Sequence, residues 1–193
     1  MPQECLMTIS LEILQAEVLR LSAADRAKVL DLLITSLDIG AGDMPDYEHF
    51  FREYAQAYER SLGESVDVGA IRSFFAESFI SASIDGRVAA GANGEAFEQA
   101  LKSGYGFYRA IGTTSMRVDR VEIEALCENH DRVRVFYCAG YRKKNGTEVS
   151  IPFDVVYLLQ RRSAGPKIFD FIAGDEMAVY KQHGLVDDNG QPA

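Results

Sequence analysis

Long runs of Val, Ile, Phe and Tyr alternate with short polar turns in the C-terminal half of this 193-residue chain. The runs cover residues 114–127, 132–143, 147–161 and 167–173, and turn residues such as Asn145-Gly146 separate them. Apolar runs bounded by Asn, Gly, Asp and Pro are typical of β-hairpins. The pattern therefore predicts four long antiparallel strands in a curved sheet that wraps around helices and encloses a pocket.

Three stretches ahead of these strands carry apolar residues at three- and four-residue spacing, the period of an amphipathic helix. The first follows Asp46 and has an unusually aromatic stripe, formed by Tyr47, Phe50, Phe51, Tyr54, Tyr58 and Leu62. A second helix is predicted at 67–76, before a short strand at 79–83. The third helix is predicted to follow an Asn93 cap and presents Phe97, Leu101, Tyr105 and Tyr108. Asp175 is expected to cap a final short helix.

Residues 8–38 have a separate helical pattern and predict a hairpin of two amphipathic helices. Ser22-Ala23-Ala24-Asp25 resembles a capping box that starts the second of them. Residues 39–45 have the composition of a linker. The sequence thus predicts a first domain at 1–45, a pocket domain at 46–186 and a disordered tail at 187–193.

Charge and cysteine usage narrow the class of protein. A formal net charge of −9 and a pI near 4.9 disfavour nucleic acid as a partner, because phosphate binding needs a basic surface. The three cysteines and three histidines have no spacing typical of metal ligands, so we expect no metal, cofactor or disulfide. No apolar run reaches the length of a membrane span and the start lacks a secretory signal, which predicts a cytoplasmic protein.

The order helix, helix, strand, helix and four long strands resembles the nuclear transport factor 2-like superfamily, which includes ketosteroid isomerases and SnoaL-like polyketide cyclases. The motifs that carry the resemblance are residues 73–79, Gly86-Arg87-Val88 with Gly91, and Lys167-Ile168 with Gly174-Asp175. The resemblance covers residues 47–185. It implies an α+β fold, a cone-shaped curved antiparallel sheet around three helices, with a pocket between them. It also implies a homodimer through the outer face of the sheet.

The N-terminal segment has a resemblance of its own. Residues 17–27 and 33–38 resemble the first half of a bacterial addiction-module (antitoxin-type) protein. Acidic residues outnumber basic ones in this segment, which predicts against DNA contact. We therefore expect residues 8–38 to dock on the main domain or to bind another protein.

The catalytic residues of the ketosteroid isomerases do not carry over to this chain. The resemblance places Ser83 at the position of the carboxylate base and Tyr157 at that of the protonated carboxyl, and neither can take the role. Asp154 and Asp170 lie amid apolar strand residues and are the predicted catalytic acids. Strand alternation puts Asp154 and Tyr157 on opposite faces, and which face each occupies depends on the turn at 144–146, which fits either a two-residue or a three-residue loop.

Tyrosines supply the predicted pocket wall. The predicted ligand-binding residues are Tyr54, Tyr58, Tyr105, Tyr108, Tyr137 and Tyr157. Buried tyrosine hydroxyls seek partners, so several around one cavity give it a polar lining. Three functions stay open: a binding protein for a small, mostly apolar ligand, a lyase or isomerase that pairs Asp170 or Asp154 with a tyrosine, and a regulator that binds a protein through residues 8–38.

Overall fold

The computed structural model describes residues 17–30 and 44–193, and the chain divides into two compact units, Met1–Met44 and Pro45–Ala193. In the first unit, residues 17–20 and 23–30 are helical. The hydroxyl of Ser22 accepts from the Asp25 N–H at 3.2 Å and donates to the Asp25 carboxylate at 2.7 Å. The predicted cap is confirmed, whereas the rest of the predicted hairpin lies outside the described residues.

The second unit contains four helices and six strands. The helices are α1 (Tyr47–Ser61), α2 (Val68–Ser73), α3 (Glu95–Ala110) and α4 (Glu176–Gln182). The strands are β1 (Phe75–Ser83), β2 (Val88–Ala92), β3 (Thr113–Cys127), β4 (His130–Arg142), β5 (Glu148–Gln160) and β6 (Lys167–Ala173). They form one sheet in the order β2-β1-β6-β5-β4-β3. The predicted α+β class and the four long strands are confirmed.

The sheet is mixed, because β1 and β6 run parallel while the other neighbours are antiparallel. The expectation of a purely antiparallel sheet is wrong for this one pair, and β2 was not predicted. Turn residues identify only pairs of strands that follow each other along the chain. The pairing of the first strand with the last depends on tertiary packing, which local pattern does not encode.

The β4–β5 turn is the three-residue form. Gly146 has a φ of 85°, the Gly146 N–H donates to the Lys143 carbonyl, and the Lys143 N–H donates to the Thr147 carbonyl, both at 2.9 Å. This loop with a left-handed glycine is a standard hairpin connection. The resulting register pairs Tyr137 with Phe153. Phe153, Val155 and Tyr157 consequently face α1, and the residues between them face outward.

A buried ion pair ties the start of α1 to the sheet. Asp131 is fully buried and accepts from the Tyr47 hydroxyl at 2.5 Å and from the Arg161 guanidinium at 2.5 and 2.6 Å. Arg162 binds Glu77 of β1 through two contacts of 2.7 Å. Arg161 and Arg162 therefore form specific ion pairs within the fold, and the turn between the first two predicted strands, at 128–131 by the sequence pattern, is only two residues long.

Asn93 does not cap α3 as predicted. Gly94 holds the cap position without a side-chain bond. The Asn93 amide instead donates to the carbonyls of Arg72 and Phe75 at 2.9 and 3.2 Å, and the Arg72 guanidinium donates to the Asn93 side-chain oxygen at 2.8 Å. Asn93 thereby connects the end of α2 to the start of α3.

Residues 187–193 form a turn, which corrects the prediction of a disordered tail. Val186 bridges Pro192, and the Ala193 N–H donates to the Leu185 carbonyl at 3.0 Å. The Asp187 carboxylate accepts from the N–H groups of Asn189 and Gln191 at 2.9 and 2.8 Å. Asp, Asn and Gly in this order favour such a turn, and Leu185 and Val186 anchor it because both are buried.

Candidate functional site

A cavity of about 210 Å³ lies between α1, α3, α4 and the inner face of the sheet. Twelve of its seventeen lining residues are aromatic. The lining residues are Tyr54, Tyr58, Phe75, Phe97, Leu101, Tyr105, Tyr108, Met116, Tyr137, Tyr141, Phe153, Val155, Tyr157, Phe171, Ala173, Glu176 and Tyr180. Eight of the nine tyrosines of the chain belong to this set. A cavity of this size is smaller than the ~300–1,000 Å³ of sites for drug-sized molecules.

Helical spacing positions the tyrosines on the helix side of the cavity. Tyr54 and Tyr58 are four residues apart on α1, and Tyr105 and Tyr108 are three apart on α3, so each pair shares a helix face. The Tyr58 ring lies 5.0 Å from that of Tyr105 and 5.5 Å from that of Tyr108. The Tyr105 and Tyr108 rings are nearly perpendicular, at 89°. The three rings are thus inclined to one another and do not stack.

Strand pairing positions the tyrosines on the sheet side. Tyr137 of β4 and Tyr157 of β5 are buried, and their hydroxyl oxygens lie 3.2 Å apart. Burial raises the pKa of both hydroxyls well above the ordinary value, and burial also raises the pKa of Tyr54 to about 12. These hydroxyls therefore stay protonated near neutral pH and are available as hydrogen-bond donors.

All six tyrosines that the sequence singled out line this one cavity. The aromatic stripe of α1 and the repeat on α3 point to the same volume because both helices pack on the inner face of the sheet. Their role in ligand binding remains a prediction. Tyr141 and Tyr180 also line the cavity and were not predicted.

Glu176, which sequence reasoning missed, is the only charged residue in the lining among residues 17–30 and 44–193. It occupies the first turn of α4, directly after the Asp175 cap. Its Oε2 accepts from the hydroxyls of Tyr108 at 3.5 Å and Tyr180 at 3.3 Å. Acidic residues are common in the first turn of a helix, so the local sequence did not distinguish Glu176 as a cavity residue. The available signal was Tyr180, four residues later on the same helix face.

The environment of Glu176 favours its protonated form. Burial raises the pKa of the Glu176 carboxyl above its usual range, and the hydroxyls of Tyr180 and Tyr108 offset part of that rise. Glu176 retains accessible surface because it lines a cavity. Together with Tyr108, Phe171, Ala173 and Tyr180, it also borders an open depression between the β1–β2 hairpin and α4. The carboxylate therefore lies at the junction of the inner cavity and the surface.

Asp170 does not belong to the cavity, which corrects the prediction that it is a catalytic acid of the pocket. It pairs with Leu158 of β5 and Ile80 of β1 on the outer face of the sheet, while its neighbour Phe171 faces the cavity. Burial raises the pKa of Asp170. Its Oδ1 is buried and has no hydrogen-bond partner within the part of the chain that the structure describes.

Asp154 also lies on the outer face, so the second predicted catalytic acid is corrected in the same way. The cross-strand neighbour of Asp154 on β4 is Phe136. The Asp154 carboxylate forms a 2.8 Å ion pair with Arg134, which lies two residues before Phe136 on the same strand. Because side chains alternate along β5, Asp154 and Tyr157 occupy opposite faces, as expected. The loop length at 144–146 decided which of them faces the cavity.

The structure also bears on metal binding and on membrane insertion. Across residues 17–30 and 44–193, no three His, Cys, Asp or Glu side chains come together as a metal site. No helix within these ranges is long and apolar enough to cross a membrane.

Residues 45–176 match the family described as NTF2-like protein (DUF6841), and the chain belongs to this family. The match includes α1, the whole sheet and Glu176. It does not extend to residues 17–27 or 33–38, so the addiction-module resemblance is unconfirmed. No curated protein gives a match.

Solved structures share the fold at low identity. A putative scytalone dehydratase from Novosphingobium aromaticivorans is 18% identical, with a TM-score of 0.54 over 70% of this chain and 85% of that one. An NTF2-like protein with a cystatin-like fold from the same organism is 14% identical, with a TM-score of 0.52 over 83% and 96%. An NTF2-like protein of unknown function from Shewanella oneidensis is 16% identical, with a TM-score of 0.51 over 67% and 97%. At these identities the likeness establishes the fold alone.

Proposed function

We propose that this protein binds a small, mostly apolar molecule in the cavity between the helices and the sheet. The observation that carries the proposal is the convergence of eight tyrosines and one carboxylate on about 210 Å³. An apolar enclosure with a few polar groups is the usual composition of a small-molecule site. The open depression at Tyr108, Glu176 and Tyr180 provides the route between cavity and solvent.

Tyrosine fluorescence tests this proposal directly, because the chain has no tryptophan and eight of its nine tyrosines line the cavity. Cyclohexanol and 3,3-dimethyl-1-butanol, which do not absorb in this range, should change the emission saturably. Ala173→Leu, which adds a larger side chain to the cavity wall, should weaken this binding. The matched exposed variant Ala90→Leu on β2 should bind as the parent does. A linear response to both alcohols, the same in all three proteins, would contradict the proposal.

A second function, acid–base catalysis, is favoured by one observation, the raised pKa of Glu176 beside two tyrosine hydroxyls. A carboxylate tuned towards neutrality can remove a proton from carbon next to a carbonyl, and a tyrosine can stabilise the resulting oxyanion. This candidate replaces Asp170 and Asp154 with Glu176 as the base. The putative scytalone dehydratase is similar in fold at 18% identity, and no catalytic residue is transferred from it to this chain.

Solvent exchange separates catalysis from binding. Cyclohexanone in D₂O should lose its α-proton NMR signal faster with the protein than in buffer, and Glu176→Gln should abolish the excess rate. Glu148→Gln, at the exposed end of β5, is the matched control. Exchange at the buffer rate would reject catalysis while leaving binding intact.

We also propose that the outer face of the sheet is covered by a second copy of the chain. Ile80 and Ile172 are 39% and 44% exposed there, beside the unsatisfied Oδ1 of Asp170. Apolar patches next to an unpartnered polar atom are more typical of an interface than of a free surface. Light scattering should show a dimer that Ile172→Lys weakens and Ile84→Lys, at the exposed β1–β2 turn, does not. A stable monomer at micromolar concentration would contradict the proposal.

A further inference from the structure

The cavity has a one-sided charge composition. Glu176 supplies a carboxylate, and the lining contains no Lys, Arg or His among the described residues. The basic residue at the bordering depression is Arg87, which forms a 2.7 Å ion pair with Asp85. The cavity therefore has a negative charge when Glu176 is ionised, and no basic side chain of the lining neutralises it.

The aromatic rings add to this negative potential. The faces of aromatic rings are electron-rich and attract cations within about 6 Å of the ring centre. The rings of Tyr58, Tyr105 and Tyr108 pack on one another at 46° to 89° and all three residues line the cavity. An aromatic wall beside a carboxylate is a composition that favours substituted ammonium groups.

Glu176 has unused capacity to bind a partner. Both of its tyrosine contacts go to Oε2 and are long, at 3.3 and 3.5 Å. Within the described residues, Oε1 has no hydrogen-bond partner. The carboxylate lies where the aromatic cavity meets the surface, with one oxygen free of protein partners, and a cation beside it would form a charge-assisted contact.

We infer that the cavity selects a small organic cation, a protonated or quaternary amine with apolar substituents, over a neutral molecule of the same shape. The inference rests on the proposed function, because it names the ligand class of the same cavity. A neutral alcohol can donate a hydrogen bond to the carboxylate, but it has no positive charge for the ring faces to attract. A cation gains from both, and its apolar substituents suit the Phe and Tyr walls.

Choline and 3,3-dimethyl-1-butanol provide a matched test, since they differ in the exchange of a quaternary nitrogen for carbon. Titration followed by tyrosine fluorescence at pH 8 should give a Kd for choline about tenfold or more below that for the alcohol. Tetramethylammonium, without any hydroxyl, should also bind, because the ring faces and the carboxylate recognise the charge.

Glu176→Gln should remove most of the preference for choline over the alcohol, because Gln keeps the shape and loses the charge. Asp175→Asn is the matched control, since it removes a neighbouring charge and Asn still caps a helix. It should keep the preference. Glu176→Asp, which retains the charge, should keep selectivity at lower affinity, and thermal unfolding should show that every variant is folded.

Each outcome separates the two proposals. Equal Kd values for choline and the alcohol, or a preference for choline that survives Glu176→Gln, would overturn the cation inference and leave the binding function standing. Binding of the alcohol without binding of choline or tetramethylammonium would do the same. Absence of binding by all three probes would overturn both proposals.

Discussion

Two carboxylates of this protein have opposite surroundings. Asp131 contacts Arg161 at 2.5 and 2.6 Å and the Tyr47 hydroxyl at 2.5 Å. Glu176 has only tyrosine hydroxyls at 3.3 and 3.5 Å and lies in a cavity. Burial acts to raise the pKa of both groups, but the bonds from Arg161 and Tyr47 reverse this at Asp131 and lower its pKa.

The difference separates a structural acid from a binding acid. Asp131 uses its oxygens within the fold and connects α1, β4 and the residue after β5, so it has no capacity for a ligand. Glu176 keeps an oxygen free beside the cavity. A carboxylate with a raised pKa and a free oxygen beside a cavity is typical of functional sites.

The largest expected effect is the loss of Asp131. Asp131→Asn should lower the free energy of unfolding by about 3–5 kcal/mol, because it removes one partner of a buried ion pair. Urea unfolding measures the change. Asp154→Asn, on a partly exposed pair with Arg134, is the control and should cost about 1 kcal/mol or less. Similar losses at the two positions would mean that Asp131 is not a structural anchor.

A matched pair of Tyr→Phe variants gives the next effect. Tyr47→Phe removes a short bond to a charged acceptor and should lower the free energy of unfolding by about 1.5–3 kcal/mol. Tyr180→Phe removes the longer bond to Glu176 and should lower it by less than about 1 kcal/mol. Chemical denaturation compares the two. A larger loss for Tyr180→Phe would show that Glu176 is held as firmly as Asp131.

The smallest expected effect concerns pH. The contributions of Asp131 and Glu176 to the free energy of unfolding should change with pH in opposite directions. The pKa of Asp131 is lowered, so its stabilisation is present above pH 3.8 and is lost as pH falls through the folded-state pKa. The pKa of Glu176 is raised, so its contribution is favourable below pH 4.5 and is lost as pH rises through the folded-state pKa. Glu176→Gln should thus gain stability relative to the parent as pH rises from 4 to 8.

Unfolding free energies of the parent and Glu176→Gln across this range check the prediction. The groups that interact with the Glu176 carboxyl are the hydroxyls of Tyr54, Tyr58, Tyr108, Tyr141, Tyr157 and Tyr180, which stay neutral throughout, and Asp175 precedes it as the cap of α4. Glu148→Gln should show no such trend. A constant difference between the parent and Glu176→Gln would mean that the Glu176 carboxyl is solvated.

Local pattern predicted most of the helices and all four long strands, because hydrophobic period and turn residues are local properties. The stripes of α1 and α3 also identified four cavity tyrosines, since both helices had to pack on the same sheet face. The prediction failed at Asp154, where one loop residue decides the face of β5, and at Asp170, whose face depends on the pairing of β6 with β5 and β1. It failed again at Glu176, whose sequence context is that of any first-turn acid.

The sequence by itself determined the family fold, the hairpin order and the aromatic character of the pocket, because each depends on residues close together in the chain. Only the tertiary structure decided that β1 pairs with β6, that Asp131 pairs with Arg161, and that Glu176 meets Tyr108. These contacts join residues far apart in sequence. The environment of each carboxylate, and hence its role, arises from such contacts, because desolvation and hydrogen-bond partners set a pKa.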